Sequence, residues 1–135
     1  MNKRRDLQER FLERYSAPTP DAMLIVEREV IGANVGANGY TTVRQADLLA
    51  ERLGLGPAHL LLDIGSGRGW PGVYLAAKTG CSAVLIDLPP PALAAAVKRA
   101  DDHDLSERAS VVRGSAVDLP VAALSFDAIC HTDTL

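Results

Sequence analysis

Between Asp6 and Tyr15, Leu7, Phe11 and Leu12 recur at i, i+4 and i+5 among charged residues, the spacing of one apolar helical face. Ser16-Ala17-Pro18-Thr19-Pro20 ends that helix. A second helix is expected from Asp21, as its N-cap, through Val30, with Met23, Leu24, Ile25 and Val26 too dense to define one face. From Ile31 to Tyr40 the chain is rich in Gly and Asn: Gly32, Asn34, Gly36, Asn38 and Gly39 form a loop able to take positive φ. Thr42-Val43-Arg44-Gln45 matches a capping box and opens a helix through Leu53, with Gly54 as its stop.

Downstream the period changes. Leu60–Ile64 is a short apolar run between turn signals, a buried strand, and Gly65–Gly69 follows it as a glycine loop. Pro71 suits the first turn of a helix that Gly80 ends. Ala83–Asp87 reads as a second buried strand, and Pro89-Pro90-Pro91 leads into a helix over Ala92–Ala100, where Leu93 and Val97 lie one turn apart. Ala109–Arg113 and Phe126–Cys130 read as third and fourth strands. Strands alternating with helices at this spacing imply βαβ units, hence an α/β fold with a parallel sheet.

Composition narrows the picture. The 135 residues suit one domain, and 47% hydrophobic with 23% charged residues is ordinary globular usage. Fourteen Lys and Arg against seventeen Asp and Glu give a net charge of −3, which argues against nucleic acid as the principal partner. The basic start, Lys3-Arg4-Arg5, is followed by Asp6, Gln8 and Glu9 rather than an apolar core, so no signal peptide is expected there, and no run is long enough for a membrane span. Cys81 and Cys130 form neither a metal-ligand pattern nor a disulfide framework; buried thiols and a reducing cytoplasm are the expectation, and no metal site.

The chemistry concentrates in Asp63-Ile64-Gly65-Ser66-Gly67-Arg68-Gly69. Glycines directly after a buried strand permit a sharp turn and leave no Cβ between backbone and ligand, while the next helix N-terminus offers free N–H groups to an anion. Twenty-two positions after Gly65 stands Asp87, at the end of the next strand, where a carboxylate accepts hydrogen bonds from both hydroxyls of an adenosine ribose. The alternative is a tight turn plus a helix-preceding cap. Gly67-Arg68-Gly69-Trp70-Pro71-Gly72 also spells G-x-G-x-x-G, the dinucleotide fingerprint, but its register is displaced from the strand end, which leaves an NAD(P)-binding Rossmann domain as a weaker alternative.

Asp63-x-Gly65-x-Gly67-x-Gly69 resembles motif I of the class I S-adenosylmethionine-dependent methyltransferases. Asp87 matches the acidic residue of motif II, with Leu88 beside the expected adenine. Arg113–Pro120 resembles the motif III region, and Ser125-Phe126-Asp127-Ala128-Ile129 the start of the fourth strand. Gly36–Thr42 looks like the loop that closes over the cofactor in this family. The resemblance covers about half the chain, Leu60 to Leu135. It departs at Ser115, where the family commonly carries Asp or Glu to take the adenine amino proton.

This resemblance implies a Rossmann-like, doubly wound parallel sheet, with strands 1–4 of the seven-stranded order 3-2-1-4-5-7-6. It divides the chain into an N-terminal helical segment with a cofactor-lid loop (1–42) and a partial S-adenosylmethionine-binding domain (43–135). It implies cofactor contacts from Asp63, Gly65, Ser66, Gly67, Gly69, Asp87, Leu88, Ser115, Ala116 and Tyr40. Its activity would be methyl transfer to a small-molecule acceptor. His131 and Asp133, past the fourth strand, are the candidate bases; the plainer reading makes them a loop histidine and a turn aspartate. Trp70 either walls the pocket or packs a helix, Arg68 is expected to be solvated, and His59 and His103 to lie at the surface. Four strands of seven suggest a truncated or partial domain whose fourth-strand edge invites self-association or a partner chain. The alternative from another class is a non-catalytic S-adenosylmethionine-binding remnant or interaction module.

Overall fold

A computed structural model describes residues 3–37 and 39–133, with Arg4 described by its backbone alone. Asn38, counted above among the loop residues, lies outside the described residues, as do Met1, Asn2, Thr134 and Leu135. The elements are α1 (Lys3–Ser16), α2 (Asp21–Ile31), α3 (Val43–Arg52), β1 (Leu60–Ile64), α4 (Gly72–Thr79), β2 (Ser82–Asp87), α5 (Pro90–Asp102), β3 (Ala109–Arg113) and β4 (Ala128–His131).

The strands form one parallel sheet in the order β3-β2-β1-β4. Leu61, Leu62, Leu85 and Ile86 on the two central strands are at most 1% exposed. Covered on both faces, these strands carry unbroken apolar runs rather than alternation; each such side chain contributes about 1.5–3 kcal/mol relative to an exposed one. Val73, Leu75 and Ala76 of α4 and Ala100 of α5 join the core, as do Ile31 and Val35 from the segment before α3. Register then places the site. Ile64 pairs with Ile86, Asp87 with Arg113, and Ile64 with His131, so the carboxyl ends of the strands lie side by side. No helix among the described residues is long and apolar enough to cross a membrane.

Local chemistry accounts for several boundaries. The capping box holds: the Gln45 amide donates to Thr42 Oγ1 at 3.2 Å, and the Thr42 amide donates to Gln45 Oε1 at 2.8 Å. Gly80 ends α4 with φ +78, a left-handed conformation a side chain would strain.

Two expectations need correction. Asp21 is the first residue of α2, not its cap: Pro20 precedes it in extended conformation, and no side chain caps the helix. The Asp21 carboxylate instead sits in the first turn, where it complements the positive end of the helix dipole. The fourth strand begins at Ala128 rather than Phe126. Asp127 ties its start to β1, its side chain accepting from the Leu60 amide at 2.8 Å while its own amide donates to the Leu60 carbonyl at 3.0 Å. In α5 the face against the sheet is Ala92, Ala96 and Ala100, while Val97 is 46% exposed. Small side chains let this helix lie close, which a hydrophobicity pattern does not report. The dense apolar run of α2 resolves similarly: Ile31 is buried and Leu24 half-buried, whereas Met23, Ile25, Val26 and Val30 face outward.

Candidate functional site

Where β1 ends, the chain turns across β2. The Gly65 and Ser66 amides both donate to the Ile86 carbonyl, at 2.8 and 3.1 Å, and the Gly69 amide to the Ser66 carbonyl at 2.8 Å. Gly65, Gly67 and Gly69 all have positive φ (71, 53 and 92°), which only glycine takes without strain. The loop therefore requires its three glycines on backbone grounds before any ligand is considered.

Asp87 lies across from this loop. Its Oδ2 accepts from the Gly67 amide at 2.7 Å and its Oδ1 from the Leu88 amide at 2.7 Å, while its backbone carbonyl accepts from the Gly114 amide at 3.0 Å. Glycine loop and carboxylate thus share one wall of one cavity, about 620 Å³, over the carboxyl ends of the strands. The cavity sits where the strand order reverses, between crossovers running from β1 toward β2 and those leading to β4, the place where ligands enter open α/β sheets.

Of the expected residues, Gly65, Ser66, Gly67, Asp87, Leu88, Ala116 and Asp133 line this cavity. Others stand behind it. Asp63 is fully buried under the loop, where its Oδ2 accepts from the Gly72 amide at 2.9 Å and the Cys130 thiol donates to its Oδ1 at 3.6 Å. It anchors the start of α4 instead of facing the cavity; a Cβ on Gly72 would come within 2.5 Å of Asp63 Oδ2. Burial pushes this carboxyl up to about 7 and the charge of Asp87 adds to the shift, while the Gly72 and Cys130 donors oppose it. Burial foremost, with the neighbouring Asp63, holds the Cys130 thiol protonated far above its ordinary range. Gly69 is packed against Val73 and Ala96. Ser115 Oγ accepts from the Val117 amide at 3.3 Å, and only its neighbours Gly114 and Ala116 reach the cavity wall.

The side chain of Tyr40 is 79% exposed and off the wall. Its amide donates to Asp133 Oδ2 at 2.9 Å, and the same oxygen accepts from the Thr41 amide at 3.2 Å and Thr41 Oγ1 at 2.9 Å. Asp133 is thereby engaged by the loop before α3. His131 is exposed on β4 and does not line the cavity, His103 is exposed, and His59 is half-buried. Trp70 fills both of its expected roles: it lines the cavity, its Nε1 donates to the Thr41 carbonyl at 2.9 Å, and its ring meets Tyr74 at 5.2 Å.

Sequence reasoning found the first helix but missed its place on the cavity wall. Seven residues from Arg5 to Tyr15 line the cavity, Phe11 and Leu12 among them, each only about half covered (44% and 45% exposed). The signal was present: three apolar residues on a charged helix are too few for a core face. Arg68 is not free in solvent as expected. Its guanidinium lies 5.0 Å from the centre of the Tyr15 ring and donates to the Tyr15 and Gly36 carbonyls at 3.4 Å, docking α1 onto the loop. A Cβ on Gly67 would lie 2.9 Å from the Tyr15 hydroxyl.

Fold and site together define a nucleoside-binding α/β domain of the doubly wound type. Residues 61–135 match the family model described as a methyltransferase domain, more than half of the chain, and the chain belongs to that family. Within it, the sheet order and motifs are those of the class I S-adenosylmethionine-dependent methyltransferases. Methyltransferase GfsG of Streptomyces halstedii is 36% identical over 92 residues, 68% of this chain and 33% of that protein. Erythromycin 3''-O-methyltransferase of Saccharopolyspora erythraea is 33% identical over 90 residues, 66% of this chain and 29% of that protein. The matched part thus spans about a third of the length of these curated relatives. Geranyl diphosphate C-methyltransferase of Streptomyces coelicolor A3(2), solved with Mg2+, geranyl diphosphate and S-adenosyl-L-homocysteine, has the same fold: TM-score 0.68 at 20% identity, over 92% of this chain and 52% of that one.

Proposed function

We propose that this domain binds S-adenosylmethionine in the cavity over β1 and β2 and, within the whole protein, serves methyl transfer to a small-molecule acceptor. One observation carries the reading: the Asp87 carboxylate sits 2.7 Å from the Gly67 amide, so ribose acceptor and glycine loop are within reach of one adenosine. A second supports the fit. Ser66 Oγ is buried on the cavity wall and lacks a hydrogen-bond partner among the described residues, which suits it to meet a polar ligand group.

In this reading Asp87 holds the ribose hydroxyls. Gly65, Ser66 and Gly67 receive the amino-acid end, and Leu88, Gly114 and Ala116 flank the adenine, with Ser115 one position behind. The helix α1 covers the nucleoside through Phe11, Leu12 and Tyr15. The cofactor supplies an activated methyl group on its sulfonium, so the task left to the protein is alignment and exclusion of water. We assign no general base to His131, which is off the cavity wall, or to Asp133, whose Oδ2 already accepts three hydrogen bonds. The relative named for erythromycin supports a small-molecule acceptor. Two free, buried thiols support a reducing, cytoplasmic setting.

Calorimetry with S-adenosylhomocysteine tests the reading without requiring the acceptor. The chain is expected to bind it, and Asp87→Ala to weaken binding by about 1–3 kcal/mol through the lost ribose bonds. Absence of binding, or equal affinity in the variant, overturns the assignment.

A further inference from the structure

We propose that Asp133 is a positioning residue: it fastens segment 39–42 to the end of β4 across the cavity mouth and so slows release of the bound cofactor. The inference rests on the cofactor reading of the cavity above, but its structural basis is separate from it. One carboxylate oxygen gathers three donors from a segment more than ninety residues earlier in the chain: Tyr40 N at 2.9 Å, Thr41 N at 3.2 Å and Thr41 Oγ1 at 2.9 Å. The same segment is tied on its other side, where Trp70 Nε1 donates to the Thr41 carbonyl at 2.9 Å. Trp70 and Asp133 both line the cavity, as does Gly39 at the start of the segment. The fastening therefore runs from the glycine loop, through Thr41, to the loop after β4, spanning the cavity wall.

Gly39 shows how closely the parts meet. The three nearest atoms to a Cβ built there all belong to Asp133, and the contact with its carboxylate would be a collision. Alanine at this position therefore acts first on Asp133. This gives the inference a test that a general loss of stability does not imitate. Asp133→Ala removes the acceptor and Gly39→Ala displaces it, so both should free the same two amides, Tyr40 and Thr41, while amides of the sheet keep their protection.

Amide hydrogen exchange at Tyr40 and Thr41 reads the fastening without ligand. Both amides are expected to exchange about tenfold faster in Asp133→Ala and in Gly39→Ala, with Asp133→Asn between them and wild type because it keeps one acceptor oxygen. Trp70 is the sole tryptophan, so stopped-flow fluorescence follows S-adenosylhomocysteine directly beside Thr41. Release is expected to be about tenfold faster in Asp133→Ala, with association nearly unchanged. Unchanged exchange at Tyr40 and Thr41 in Asp133→Ala, or equal acceleration of amides throughout the domain, overturns the inference. Should wild type fail to bind S-adenosylhomocysteine, the cofactor reading falls while exchange still decides the fastening; should it bind and the variant release it at the wild-type rate, the inference falls alone.

Discussion

Asp63→Asn is the sharpest probe of the buried layer beneath the glycine loop. The native carboxyl is fully buried, and its two oxygens meet the Gly72 amide and the Cys130 thiol. Asparagine has the same shape and keeps a carbonyl to accept from Gly72, so it removes the charge and exchanges only the weak thiol acceptor for an amide N–H. Burial pushes the Asp63 carboxyl from its ordinary 3.8 up to about 7. Between those values the folded chain holds a proton that the unfolded chain has released. The folded state binds more protons, so its stability falls as pH rises through the window. At about 1.36 kcal/mol per pH unit, the wild type should lose on the order of 4 kcal/mol relative to Asp63→Asn between pH 4 and pH 8. Below pH 4 the two proteins should be nearly equal. Urea unfolding followed by Trp70 fluorescence at intervals across this range measures both, and the difference between them cancels the titrating groups that do not interact with Asp63. A difference that stays flat from pH 4 to pH 8 would refute the claim that Asp63 is held protonated by burial.

Gly67→Val should abolish S-adenosylhomocysteine binding by calorimetry, because φ is +53° and the added Cβ meets the Tyr15 hydroxyl at 2.9 Å; normal binding would mean the loop is only a turn. Arg68→Ala should loosen α1, seen as faster limited proteolysis between Lys3 and Ser16, since the cation–π contact with Tyr15 and the bonds to Tyr15 and Gly36 go together. Unchanged cleavage would show that α1 is held by other contacts. The outer edge of β4 has no strand beside it among the described residues, so the 135-residue chain is expected to self-associate; a sharp monomer in sedimentation velocity would contradict this.

Much of the sheet was legible in the chain because parallel strands buried on both faces write themselves as apolar runs. Leu60–Ile64 needed no other information, and the reading Ala83–Asp87 fell one residue short of the observed Ser82–Asp87. The capping box at Thr42 was legible because both partners lie within one turn. The loop-to-Asp87 relation was legible because one βαβ unit links the two positions, and strand register carries the spacing into space. Asp21 and the start of β4 were misread because competing local signals looked alike: an aspartate before an apolar run serves as cap or first-turn residue, and only its neighbours decide.

By itself, then, the sequence determined which segments are strands, where the backbone must bend through glycine, and which carboxylate ends the second strand; these are short-range properties of backbone freedom and hydrophobic period. Tertiary structure alone decided what each polar side chain does. Asp63 lies under the loop, Arg68 docks onto Tyr15, and Asp133 binds the segment before α3. Those partners are distant along the chain or hidden by burial, and no periodicity records a contact made between two elements only when the sheet brings them together.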